Sequence, residues 1–352
     1  MEILALYLPQ YHPIPENNEW WEPGFTEWTR VAAARPLFKG HIQPHLPRDL
    51  GFYDLRVPEV RTAQAELAAE HGVTGFIYWH YWLAGRRLLQ RPFDEVLATG
   101  EPDFPFALAW ANHSWEKRWG DPKLGFRMLL EQTYPGASDD AAHFAAVRPA
   151  FEDPRYVRID GKPVFFVFEV RKMPDPAGFV ERWQAMSEDL GGLYLVAMTG
   201  DANGRDPQVH GFDAISFGRL PADETSMAPR LRDAFIKRGV LTGPRRLRYV
   251  EGFAGTPPPH LDQNAIPVIT PNWDNTPRRR KFGTVVTGSS PEKFASQMQG
   301  ALTQAARRNP GEQMVILRSW NEWGEGNYLE PDQEFGMGWL QALQRELASW
   351  HA

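Results

Sequence analysis

Eight short apolar runs, at residues 3–8, 74–79, 106–111, 163–168, 193–198, 214–217, 267–270 and 314–318, punctuate the chain. None alternates cleanly between apolar and polar positions. Such runs predict parallel strands covered on both faces, since a strand with one wet face would alternate. Helical patterns lie between most of them, at 57–70, 139–151, 176–190 and 291–307, and another at 338–350 follows the last. Eight strands with intervening helices are what a closed (β/α)8 TIM barrel requires. A doubly wound open sheet is the rival, and it usually carries a glycine-rich phosphate loop after its first strand. Here the first run leads into Pro9-Gln10-Tyr11-His12-Pro13, with no such loop. The segment 218–265, with Pro257-Pro258-Pro259 inside it, reads as loop plus short helices. The expectation is therefore α/β: one barrel domain over residues 1–352, with elaborated loops at the C-terminal ends of its strands.

The chain's 352 residues are many for one domain but within the range of barrels. Its 38 basic and 44 acidic side chains leave a net charge of −6, which argues against nucleic acid as a partner. The one dense basic run, Arg278-Arg279-Arg280-Lys281, reads as a solvated loop, with a role in holding an anionic substrate as the alternative. There is no cysteine, so disulfides, thiolate nucleophiles and Cys-bound zinc are excluded. No stretch approaches the roughly 18–20 apolar residues of a membrane span. The first residues lack the basic and apolar regions of a signal peptide. A cytoplasmic location is the default; a secreted or periplasmic one would follow if an export signal had been trimmed.

In a barrel enzyme the active site forms where the strands end. The first run is followed by Gln10, Tyr11 and His12, the second by Trp79, His80 and Tyr81, and the third by Trp110, Asn112 and His113. Glu169 follows the fourth, Thr199 and Asp201 the fifth, and Arg219 the sixth. The seventh ends in Asn272-Trp273-Asp274-Asn275 and the eighth in Trp320-Asn321-Glu322-Trp323-Gly324-Glu325. Nearly every run thus ends in residues able to bind a polyhydroxylated ligand. The 14 Trp and 10 Tyr point the same way, several standing beside His, Asn or Glu: flat apolar surfaces with polar neighbours suit sugar rings. A Trp-rich structural rim is the plainer alternative.

Glu322 and Glu325 stand out. Two carboxylates at one rim suit glycoside chemistry, where one protonates the leaving oxygen and the other acts at the sugar. Their proximity should push their pKa values apart. The structural alternative is that one caps a helix or pairs with an arginine such as Arg318. His41, Gln43 and His45 alternate along an extended segment, but nothing completes a metal-ligand set, so these histidines read as loop residues contacting sugar or satisfied within the structure. No G-x-S-x-G elbow suggests a serine hydrolase. No cofactor is called for.

Longer motifs resemble a known family. Tyr7-Leu8-Pro9-Gln10-Tyr11-His12, Trp20-Trp21, Gly24-Phe25-Thr26-Glu27-Trp28, Pro36-Leu37-Phe38-Lys39-Gly40-His41 and Asp49-Leu50-Gly51-Phe52-Tyr53-Asp54-Leu55-Arg56 resemble WbsX-type proteins. So do Pro271-Asn272-Trp273-Asp274-Asn275-Thr276-Pro277-Arg278 and the stretch from Trp320 through Glu330-Pro331. That family carries a glycosyltransferase or lipopolysaccharide-biosynthesis label and occurs in O-antigen and polysaccharide clusters. A more distant likeness is to glycoside hydrolase family 99, the endo-α-1,2-mannosidases. These barrels have an Asn-Glu-Trp-x-Glu-Gly segment after the last strand, and a run similar to Asp160-Gly161-Lys162-Pro163-Val164-Phe165. That resemblance implies that Glu322 deprotonates the sugar's own 2-hydroxyl, which displaces the leaving group, and that Glu325 is the general acid/base. The position between Trp323 and Glu325, His in that family, is Gly324 here.

The leading expectation is a retaining glycoside hydrolase or transglycosylase acting on an α-linked manno- or rhamno-configured residue of a bacterial polysaccharide, the partner being an oligo- or polysaccharide. Substrate contacts are expected from Tyr11, His12, Trp28, His41, His45, Trp79, His80, Tyr81, Trp110, Asn112, Glu169, Trp273, Asp274, Trp320, Asn321 and Trp323. A glycosyltransferase is the rival; it needs a pyrophosphate site, for which the 278–281 run is the visible candidate. A non-catalytic carbohydrate-binding barrel is the third reading.

Overall fold

The computed structural model describes residues 1–118, 125–199, 210–223, 242–257 and 263–351. The eight apolar runs are eight strands: β1 (Glu2–Tyr7), β2 (Gly75–Leu83), β3 (Phe106–Trp110), β4 (Lys162–Val167), β5 (Tyr194–Thr199), β6 (Ala214–Phe217), β7 (Ala265–Ile269) and β8 (Met314–Leu317). Each pairs in parallel with the next, and β8 pairs with β1, with Glu2 opposite Met314, so the sheet closes. This is a (β/α)8 barrel. The strands read as unbroken apolar runs because both their faces are covered. Leu4, Ala5, Ala107, Ala109, Val164 to Val167, Leu195 and Ile316 have at most 1% of their surface exposed. Each such branched or aromatic side chain contributes roughly 1.5–3 kcal/mol relative to leaving it in water.

Outside the barrel lie α1 (Pro58–Glu70), α2 (Arg91–Thr99), α3 (Ala137–Glu152), α4 (Pro176–Met186), α5 (Pro291–Ala305) and α6 (Gly338–His351). The sequence reading lacks α2, a helix of nine residues. Proline at its start and the burial of Phe93 and Val96, one turn apart, still hold it in place. Asp201, Pro258 and Pro259 lie outside the described residues. Among the described residues no helix is long and apolar enough to cross a membrane.

One side chain beyond β8 ties that segment to the end of β1. Asn321 is fully buried; its Oδ1 accepts from the Leu8 N–H at 2.7 Å and its Nδ2 donates to the Leu8 carbonyl at 3.1 Å. Asn321→Ala strips a partner from both backbone groups, each costing about 1–3 kcal/mol when left unsatisfied. Urea unfolding should show a destabilisation of that order; a loss under 0.5 kcal/mol would mean the anchor carries little.

Candidate active site

The segment after β8 forms a tight hairpin. Asn321 and Glu322 pair antiparallel with Tyr328 and Asn327, and a single 3-10 turn, Trp323–Glu325, fills the bend. This fold-back, and not helical spacing, brings Glu322 and Glu325 to one place. Trp323 is the root of the hairpin. It is fully buried, stacks on Tyr328 with ring centroids 3.7 Å apart, and donates from Nε1 to Glu330 Oε2 at 2.6 Å. Glu330 also accepts from the Tyr53 hydroxyl at 2.8 Å and from Gln64 Nε2 at 2.6 Å. Burial pushes the Glu330 carboxyl up to about 7 against those three donors.

At the centre of the site is Arg278, in the short helix Thr276–Arg279 after β7. Its Nη2 donates to Glu322, its Nη1 lies 3.0 Å from Glu325 Oε1, and its Nε donates to Glu27 Oε1 at 2.6 Å. One guanidinium therefore holds three carboxylates from the loops after β8 and β1. Glu27 comes from the first turn of the helix Glu27–Ala33. The segment rules out bulk between the two hairpin carboxylates, because a Cβ on Gly324 would overlap the Glu27 carboxylate. Arg318 approaches Glu325 Oε2 only to 4.0 Å and lies over the Trp273 ring, 4.6 Å from its centroid.

Burial raises Glu322 to about 7; Arg278 opposes that shift, and the charges of Glu325 and Glu27 add to it. Burial alone would weaken the charge on Arg278, but the three carboxylates outweigh it and hold its pKa above the ordinary value. The site opens into a cavity of about 500 Å³ to which all eight strands, or the segments following them, contribute. Glu27, Arg278, Glu322 and Glu325 form one side of it, with Arg318 beside them. Trp79, Tyr81, Trp115 and Phe168 supply aromatic surface, and His113 and Ser114 lie among them. A carboxylate pair beside flat aromatic surface can protonate and deprotonate oxygens of a ring packed on that surface.

A sequence profile described as "Glycosyltransferase WbsX" matches residues 3–343. The chain belongs to the WbsX glycosyltransferase family. WxcX of Xanthomonas campestris pv. campestris, in two strains, is 36% identical over 351 residues, 98% of this chain and 49% of WxcX. The chain thus spans about half the length of the curated relatives it matches. Among solved structures, the GH99 endo-alpha-mannosidase from Bacteroides thetaiotaomicron superposes with a TM-score of 0.57 at 14% identity, over 99% of this chain and 97% of that one. A "Glycoside hydrolase-like protein" gives 0.58 at 16% identity, covering 98% and 93%. At such identity the likeness establishes a shared fold.

Of the side chains expected at the site of this WbsX-family chain, Glu322, Glu325, Trp79 and Tyr81 line the cavity. Others stand behind it. Tyr11 donates to the Asn321 carbonyl and accepts from the Trp323 N–H at 3.2 Å, so it props up the hairpin; Trp28 packs on Tyr11 and Trp323 and donates to the Tyr53 carbonyl. Trp320 and Trp110 are core residues, the latter donating to the Trp82 carbonyl. His80 meets His143 nitrogen to nitrogen at 2.9 Å, and burial pushes it down to about 3. His12 is buried on the Pro9 carbonyl, and burial lowers its pKa. Asn112 ties the end of β3 to Glu169 through both backbone groups of that residue; the Glu169 side chain turns to Lys172.

The alternation of His41 and Gln43 is spent on Asp274, which accepts from both at 2.7 Å and from the Thr276 N–H and hydroxyl. Because the Leu37 N–H donates to His41 Nδ1, it is Nε2 that carries the proton toward Asp274. Burial would raise the Asp274 carboxyl, but these donors hold it below the usual range. The Asp274 N–H in turn donates to the Glu325 carbonyl at 2.7 Å. His45 is buried near Tyr328, 3.9 Å from Glu334. Asp274 therefore supports the hairpin from behind, while Trp273 packs with Leu247, Tyr249 and Val286 and carries Arg318 on its ring. Arg278 departs from the reading of 278–281 as a solvated run, while Arg279, Arg280 and Lys281 are exposed as that reading has them. Glu27, which sequence reasoning did not select, sits in a quoted motif, but the cue to its role is Arg278, 251 residues away.

Glu322 and Glu330 both titrate higher in the fold than the roughly 4.3 of an unfolded chain. Their contribution to stability is complete below that value and is lost as pH rises through about 7. The thermal midpoint should fall between pH 5 and pH 8, and Glu322→Gln should flatten part of that slope. An unchanged slope in the variant would remove Glu322 as one of its sources.

Proposed function

We propose that this chain is a retaining glycoside hydrolase, or a transglycosylase using the same site, that cleaves an α-linked manno- or rhamno-configured residue of a bacterial surface polysaccharide. The observation that carries this reading is the pair Glu322–Glu325 on one guanidinium, facing a cavity with aromatic walls. Membership of a family with a glycosyltransferase description and the barrel shared with an endo-alpha-mannosidase support carbohydrate as the substrate class.

In the first step Glu322 takes the proton from O2 of the bound sugar, O2 attacks C1 from the face opposite the leaving group, the C1–O bond breaks, and Glu325 gives its proton to the departing oxygen. In the second step Glu325 takes a proton from water, the water oxygen attacks C1, the O2–C1 bond opens, and Glu322 returns its proton to O2. Configuration is retained, and neither metal nor nucleotide takes part. A base with a pKa near 7 is matched to neutral operation, since proton-transfer catalysis is best near the working pH. The manno and rhamno configurations place O2 trans to an α leaving group, as this attack demands.

The transferase reading needs a pyrophosphate site. Of the run that offered one, Arg278 is engaged by three carboxylates, while Arg279, Arg280 and Lys281 are exposed.

Glu325→Gln should lower the bond-breaking rate on a natural, poor leaving group by about 10²- to 10⁴-fold. An aryl glycoside, whose leaving group needs less protonation, should be partly spared. Pre-steady-state release of both leaving groups measures this. Equal losses on the two substrates would contradict the acid role of Glu325, and nucleotide release from nucleotide-sugar donors would favour the transferase.

A further inference from the structure

A second cavity, of about 440 Å³, adjoins the first and shares Trp21 and Arg30 with it. Three arginines line it, Arg30, Arg35 and Arg280, against one acid, the exposed Glu22. None of the three forms an ion pair with a carboxylate among the described residues. Arg30 stacks on Trp21, its guanidinium carbon 4.1 Å from the ring centroid, and lies 5.3 Å from the centroid of Phe25. The carboxylate closest in sequence, Glu27, is spent on Arg278. Arg35 donates only to backbone carbonyls, of Ala32 and Ala34. Arg280 has φ +50° and ψ −132°, a backbone conformation costly for a residue with a Cβ.

Cations that line one cleft without forming ion pairs repel one another, a cost that an incoming anion lowers. The arginine fork also matches the geometry of carboxylate and phosphate oxygens, which a neutral sugar hydroxyl cannot exploit equally. The stacked Arg30 offers such a fork at the boundary between the two cavities.

We propose that the second cavity is a subsite for an acidic sugar: the substrate carries a carboxylate or phosphate on the residue next to the one cleaved, and Arg30, Arg35 and Arg280 hold it. This rests on the glycosidase reading for where the cleaved bond lies.

Binding to the Glu325→Gln protein, measured by calorimetry, tests the idea without turnover. The probes are a glucuronosyl-mannose disaccharide, its carboxyl-reduced form, an α-mannobiose phosphomonoester and GDP. One or both of the anionic disaccharides should bind roughly tenfold or more tightly than the reduced one, the order expected of a charge-assisted contact. Which of them does so identifies the anion. That preference should collapse in the additional Arg35→Ala/Arg280→Ala variant, whose thermal midpoint reports that it is folded; both side chains are exposed. Equal affinity for the acidic and reduced disaccharides would overturn the subsite and leave the glycosidase reading standing, as would a preference that survives in the variant. Binding of GDP with no binding of any saccharide would overturn both.

Discussion

The structure turns on the guanidinium of Arg278. Three carboxylates in one partly buried cleft would repel one another strongly in a medium less polarisable than water. A single cation with donors on three nitrogens lets Glu27, Glu322 and Glu325 stand together. They are carried on the loops after β1 and β8, while Arg278 follows β7, so three strands adjacent around the barrel converge on one charge. The closing register of the sheet is what makes these loops neighbours.

Behind that charge lies a second layer that fixes direction. Trp323 is pinned by Glu330, Tyr11 and Tyr328, and the Glu325 carbonyl is held by the Asp274 amide. Asp274 and Glu322 are both buried carboxyls, yet their pKa values move apart. Asp274 accepts hydrogen bonds from three side chains and a backbone N–H, which favour its charged form; Glu322 has burial and two like charges against one cation. The first is suited to holding a scaffold and the second to exchanging a proton.

Much of this was legible in the sequence. The eight strands could be read because doubly covered parallel strands must be continuously apolar, and the position of the site followed from barrel geometry. The carboxylate pair was visible as chemistry, although its closeness comes from the hairpin and its buried tryptophan. Other residues looked like ligand contacts because tryptophan, histidine and asparagine at strand ends bind sugars and brace loops with the same atoms. Asn321 caps β1, and His41 and Gln43 hold Asp274. The alternation of His41, Gln43 and His45 was visible, but only the fold shows that the first two meet on Asp274. Arg278 was least legible: within a run of four cations nothing marks the one that three distant carboxylates surround.

The proposed mechanism depends on Glu322 acting on the sugar's own 2-hydroxyl. It is tested most directly by comparing an aryl α-mannoside or α-rhamnoside with its 2-deoxy and 2-O-methyl analogues. Turnover of the parent and of neither analogue is expected, with all three still bound. Turnover of an analogue at a rate near the parent's would contradict it and point to direct attack on C1 by a carboxylate.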